Sequence, residues 1–177
     1  EPEGPFGESH GHIALEEYNM PMRITTITRR KKAVVPSYIS QVAPSESSVI
    51  KRVAYEPLFL RHLRDENNIK GVKKVSLHEP LTGLLRVTVI TCEAKMPRTE
   101  IWRALYSAAF FKGDCSKICI AVNEDIDVDN ADALFWAMSY RTNPSEDMQT
   151  LLHRGQGHGP KREHDGEEDS SVLIDAT

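Results

Sequence analysis

Two carboxylates, Glu3 and Glu8, flank the turn Gly4-Pro5-Phe6-Gly7 near the start of a 177-residue chain. Positions five apart meet neither on an α-helix nor on a straight strand. Gly4, Pro5 and Gly7 disfavour helix and favour a tight bend, and a bend can carry both acids into one pocket. There each carboxylate opposes ionisation of the other, and burial raises the pKa further. One of the two then stays protonated near neutrality and can act as a general acid. The competing reading of the same residues is a pair of solvated surface acids, the usual state of Glu. His10 and His12, one residue apart, would share a strand face and suggest a metal pair, but no third ligand completes a set. Cys92, Cys115 and Cys119 are an odd number without zinc-type spacing, and they read as small buried hydrophobes in a reducing cytoplasm.

Around these residues the chain has the means to build a core: 40% of it is hydrophobic, which suits one ordinary domain with appendages. The 22 basic and 26 acidic residues give a net charge of −4, against the basic face that nucleic acid requires. No apolar run reaches membrane-spanning length and no signal peptide is visible.

β-branched runs at 12–15, 23–28, 33–35 and 37–39 predict strands. Pro44-Ser-Glu46 predicts a helix start, with Val49, Ile50 and Val53 as its apolar stripe and Pro57 as a kink or restart before 58–63. Residues 71–142 read as an α/β unit. Strands at 72–77 and 84–91 flank a turn at 80–83, and a helix begins near Arg98 behind Pro97 and stops by Gly113. A strand at 117–122 follows, then a helix with Ala131, Leu134, Phe135 and Met138 on one face. That order predicts a mixed sheet packed with helices. Beyond Pro144 the pattern fades into Gly155, Gly157, Gly159 and dense charge, which predicts a surface loop or tail over 151–177.

Four stretches carry a family resemblance. Glu3-Gly-Pro-Phe-Gly-Glu8 with His10-Gly11 resembles the signature of the UbiD-like carboxy-lyases, which use prenylated flavin mononucleotide. Ile27-Thr-Arg-Arg-Lys-Lys-Ala-Val-Val-Pro36 is similar to that family's "IT-x-R-x-x-P-I" strand. Ile118 to Val128, Leu134-Phe-Trp-Ala-Met138 and Tyr140-Arg-Thr-Asn-Pro144 resemble its strand, acidic turn, "LWA" helix and "TR-x-x-P" exit. Ile174-Asp-Ala-Thr177 resembles its closing "LDAT". The stretches lie in family order over nearly the whole chain.

The resemblance implies an α/β (α+β) fold in four parts. Residues 1–42 would end a flavin-binding split β-barrel, 43–69 form a linker helix, 70–150 a C-terminal α/β oligomerisation domain, and 151–177 a glycine-rich, charged loop or tail. It implies a non-oxidative (de)carboxylase of aromatic or α,β-unsaturated acids, working through a covalent prenylated-flavin adduct and assembling as a homo-oligomer. Glu8 would donate the proton that replaces carbon dioxide, with Glu3 beside it. Ser47 and Lys51 would line the substrate pocket, the lysine suiting an anionic or phenolate-bearing substrate. Members are roughly three times this length, a size that implies further domains. The resemblance places the flavin phosphate site, an arginine, and the ligands of a divalent metal (Mn or Mg) and potassium outside these residues, so the isolated chain is expected to be inactive. Ser171 stands where many members carry a lysine near the flavin, with Lys161 or Arg162 as conceivable replacements. The alternative is a non-catalytic scaffolding domain or accessory subunit.

Overall fold

The computed structural model describes residues 2–7, 11, 13–14, 17–18, 20–39, 42–78, 85–113, 115–155 and 168–177. Short strands β1 (Pro2–Glu3) and β4 (Glu17–Tyr18) pair antiparallel, as do β2 (Phe6–Gly7) and β3 (Ile13–Ala14). The pairs Pro2–Tyr18, Glu3–Glu17, Phe6–Ala14 and Gly7–Ile13 keep one register, so the two ribbons are ends of a single interrupted hairpin. The interruption falls at Gly4, whose φ of 100° only glycine tolerates without strain. The strands expected at 23–28, 33–35 and 37–39 do not form. Residues 20–39 are exposed and carry no ladder, because β-branched composition makes a strand only where a neighbour accepts its backbone hydrogen bonds.

Helix α1 (Glu46–Arg61) starts at a Ser45 cap, with reciprocal bonds between Ser45 and Ser48. Pro57 does not restart it. The carbonyl that loses its donor belongs to Val53, on an exposed stretch where water can serve it. A π-helical turn, His62–Glu66, follows instead.

The remaining elements are β5 (Val72–Leu77), β6 (Val87–Cys92), α2 (Arg98–Ala109), β7 (Ile118–Asn123), α3 (Ala131–Tyr140), α4 (Pro144–Asp147), β8 (Met148–Gly155) and β9 (Glu168–Ala176). They build a five-stranded open mixed sheet in the order β5-β6-β7-β9-β8, with β6, β7 and β9 parallel and both edge strands antiparallel. All six residues of β6 are buried, as expected of a central strand covered on both faces. One face holds Ile90, Cys119, Ala121 and Leu173 against Phe59, Leu63, Ile101 and Leu105 of α1, the π turn and α2. The other holds Val89, Ile120, Val122 and Ile174 against Leu134 and Ala137 of α3. Phe135, expected on the core side, is exposed: inward positions are taken by Leu134, Ala137 and the half-buried Met138.

The expected tail over 151–177 is the largest correction. Residues 168–176 form β9 between β7 and β8, inside the sheet. Its charged beginning hides an alternation in which Leu173 faces one core cluster and Ile174 and Ala176 the other. The α/β unit therefore extends to 176 and cannot close at 150.

Candidate active-site segments and an open cleft

The glutamate turn belongs to the interrupted hairpin. Glu3 is the last residue of β1, opposite Glu17, and the positive φ at Gly4 breaks the strand before β2. The tight turn expected over residues 4–7 does not form: Phe6 and Gly7 are strand β2, and the arm resumes its register beyond Gly4 and Pro5. Glu8, His10 and His12 lie outside the described residues, and so do Lys161 and Arg162.

Ser47 and Lys51 sit one turn apart on α1, on one face of the helix. Ser47 is half-buried with its Oγ 3.1 Å from Ser45 Oγ, while Lys51 is exposed. Their helix is fixed by a charged network the sequence reading missed. Arg52 Nε donates to Glu56 Oε1 at 2.8 Å, and its Nη2 donates to Asp129 Oδ1 at 2.8 Å. Glu56 Oε1 also accepts the Leu77 backbone N–H at 2.9 Å, capping edge strand β5, and Lys74 Nζ lies 3.5 Å from Asp129 Oδ2. Hydrogen bonds to Glu56 and Asp129 raise the Arg52 pKa, and the bond from Arg52 holds Asp129 below the usual carboxylate range.

A cleft of about 600 Å³ opens at the carboxyl ends of the parallel strands, lined by Ala94, Asn123, Glu124, Asp125, Arg141 and Thr177. This end of an open α/β sheet is the usual place for ligands, because chains leaving adjacent strands for opposite faces part there. Here β6 leads to α2 on one face, and β7 to α3 on the other. Arg141 donates twice to Asp125, with Nη1 3.0 Å from Oδ1. The pairing lowers the Asp125 pKa and raises that of Arg141. The guanidinium also lies 5.1 Å from the Trp136 ring centroid. With its one cation satisfied by a carboxylate, the described lining presents no nucleophile with an adjacent base. The alternating acids Asp125, Asp127 and Asp129 resemble a cation loop on paper. They turn apart instead: Asp125 pairs with Arg141, Asp127 accepts the Asp129 N–H, and Asp129 pairs with Arg52. Among the described residues no group of three His, Cys, Asp or Glu could hold a metal ion.

Ser171 is buried and accepts from Arg154 Nε at 3.3 Å. Arg154 Nη2 also donates to the carbonyls of Lys112, at 3.0 Å, and Ala109. Its guanidinium is spent on closing α2, and no sequence signal marked it. The three cysteines are buried. Desolvation pushes the Cys92 thiol up to about 12 and raises Cys119 as well.

Residues 49–176 match the profile of the 3-octaprenyl-4-hydroxybenzoate carboxy-lyase C-terminal domain. An uncharacterized protein of Archaeoglobus fulgidus is 24% identical over 152 residues, covering 84% of this chain and 30% of the relative. Vanillic acid decarboxylase of Sedimentibacter hydroxybenzoicus in its closed form superposes with a TM-score of 0.79 at 19% identity, over 99% of this chain and 36% of that one. An evolved dimeric form of the UbiD-class enzyme HmfF from Pelotomaculum thermopropionicum, in complex with prFMN, gives 0.74 at 24% identity, over 99% and 36%. The chain thus spans about a third of the length of the proteins it matches. The profile match over most of the chain, on an open mixed sheet of the same fold, shows that it belongs to the UbiD family of carboxy-lyases, as a C-terminal portion.

Proposed function

We propose that these residues form part of a non-oxidative (de)carboxylase of aromatic or α,β-unsaturated carboxylic acids that employs prenylated FMN. The observation that carries this reading is the match of residues 49–176 to the carboxy-lyase C-terminal domain; the prFMN in the HmfF complex supports the cofactor. The flavin would supply the electron sink. Among the described residues, the arginine beside Ser171 is consumed by backbone carbonyls rather than left for the flavin. No step is therefore assigned through the cofactor. Metal and potassium would be held by other parts of the parent protein.

In this reading Glu8 delivers a proton to the carbon that carbon dioxide leaves, and Glu3 beside it keeps the pair singly ionised. The likeness of residues 3–8 to the family signature supports the reading. Ser47 and Lys51 line the substrate side, and the Arg52–Glu56–Asp129 network holds their helix in place. The 177 residues alone are inactive in this proposal, since misplacement by about an ångström can cost a hundredfold.

The test is native mass spectrometry of the parent protein for prenylated flavin, together with carbon dioxide release from a panel of aromatic and α,β-unsaturated acids. Glu8→Gln keeps the shape but cannot cycle a proton, and should lower turnover about a hundredfold or more with the cofactor retained. Near wild-type turnover in that variant would refute the assignment of Glu8.

A further inference from the structure

Buried hydroxyls are satisfied on one face of the sheet and stranded on the other. On the α2 face Thr88 and Ser116 are fully buried with their oxygens 2.9 Å apart, and Ser116 Oγ also donates to Ala108 O at 3.3 Å. On the α3 face Ser76 of β5 and Thr91 of β6 are 2% and 7% exposed. Among the described residues neither Ser76 Oγ nor Thr91 Oγ1 has a hydrogen-bond partner. A hydroxyl taken out of water and left unbonded is costly, and native folds rarely leave one so.

The strand register brings the two hydroxyls together. Ser76 pairs with Val89 and Lys74 with Thr91, which makes Ser76 and Thr91 diagonal neighbours. Their sequence neighbours Val75, Leu77, Ile90 and Cys92 belong to the cluster under α1 and α2. By alternation both hydroxyls turn to the α3 face. Val89 lies beside Ser76 and Val122 beside Thr91, and both valines pack with Ile126 and Val128 from the segment between β7 and α3. Lys74, on the same face, lies 3.5 Å from Asp129 of that segment. The segment roofs this place and keeps bulk solvent out.

We infer that one ordered water is bound here, bridging Ser76 Oγ and Thr91 Oγ1, and that it ties edge strand β5 to β6 beneath the segment that carries Asp129. Diagonal neighbours stand about 7–8 Å apart at Cα. Two short side chains leave a gap across that span which two hydrogen bonds of about 2.8 Å close. Each hydroxyl both donates and accepts, so the pair can use a proton and a lone pair of one water. Two neutral hydroxyls beside the Lys74 ammonium are a poor match for a metal cation, which takes carboxylates and more oxygens.

This inference does not rest on the catalytic reading. A high-resolution crystal structure of the 177-residue chain should show a fully occupied water within about 3 Å of both oxygens. Urea unfolding tests whether that water holds the strands. Ser76→Ala and Thr91→Val each remove one of its partners, and each should lower the folding equilibrium constant about fivefold or more. The double variant leaves neither hydroxyl to serve, and should lose less than the product of the two single losses. Density showing no water, a direct bond between the hydroxyls, or another side chain in the water's place overturns the proposal. So do single variants as stable as wild type or more stable, the result expected of hydroxyls stranded dry. Strictly additive losses overturn it as well, because they would show that the two hydroxyls share nothing.

Discussion

Arg154 is 6% exposed and, among the described residues, forms no ion pair with a carboxylate. Its guanidinium donates to Ala109 O, at the end of α2, to Lys112 O at 3.0 Å and to Ser171 Oγ at 3.3 Å, and stacks 4.8 Å from the Phe110 ring centroid. Arg154→Met keeps most of the volume and removes every donor. Two terms then compete. The variant escapes the cost of burying a cation, several kcal/mol. It also strands carbonyls that α2 cannot satisfy itself, at about 1–3 kcal/mol each, and loses a cation favourably placed at a helix C-terminus.

Cys115 Sγ lies 3.8 Å from Ala109 O and 3.3 Å from Lys112 O, a weak donor that softens the loss. The stranded carbonyls decide the sign, because they are backbone and stay when the donors go. We expect Arg154→Met to destabilise the chain by about 3 kcal/mol, a fall in Tm of about 6–12 °C at this size. Urea unfolding followed by circular dichroism measures it. Stability equal to or above wild type would show that desolvation of the guanidinium outweighs its hydrogen bonds, and would refute the reasoning.

Three further outcomes follow from the same structure. Asp129 has a folded pKa below the usual carboxylate range because Arg52 donates to it. Its stabilising contribution is thus complete above the ordinary unfolded value and lost as pH falls through the folded one. Asp129→Asn should lower stability slightly near neutrality and converge with wild type in acid; the gap stays small because the side chain is 58% exposed and screened by salt. A gap that widens in acid would contradict this. The buried thiols, with Cys92 pushed up to about 12, should react with a disulfide reagent only as the chain unfolds, and rapid native labelling would show the core to be open. A chain of residues 68–145 lacks β8 and β9 and leaves β7 without its neighbour, so it should unfold without cooperativity, and a sharp transition would mean that the sheet closes without its C-terminal strand.

That last outcome reverses an expectation formed on sequence, and the reason is physical. β5, β6, α2, β7 and α3 were legible because each has a pattern of its own: the β-branched run of β6, and Ile101, Leu105 and Ala108 recurring at helical spacing on α2. β9 has a period too, but it begins in a dense acidic stretch after glycine-rich residues, and composition there outvoted four apolar positions. Of the candidate site, the backbone constraint at Gly4, between Glu3 and Phe6, showed in the residues themselves.

Local chemistry, then, was available from the sequence by itself: the helix start at Pro44-Ser-Glu46, a constrained backbone at Gly4, buried cysteines, and the alternation that assigns faces. These depend on neighbours a few positions apart. Tertiary structure decided whatever depends on partners far along the chain. It inserted β9 between β7 and β8, left the β-prone 20–39 segment without a ladder, and brought Arg52 to Asp129 across 77 positions. It also turned the aromatic face of α3 outward. A strand needs a neighbour, a buried charge needs a mate and a helix has two sides, and no local pattern states which partner will meet them.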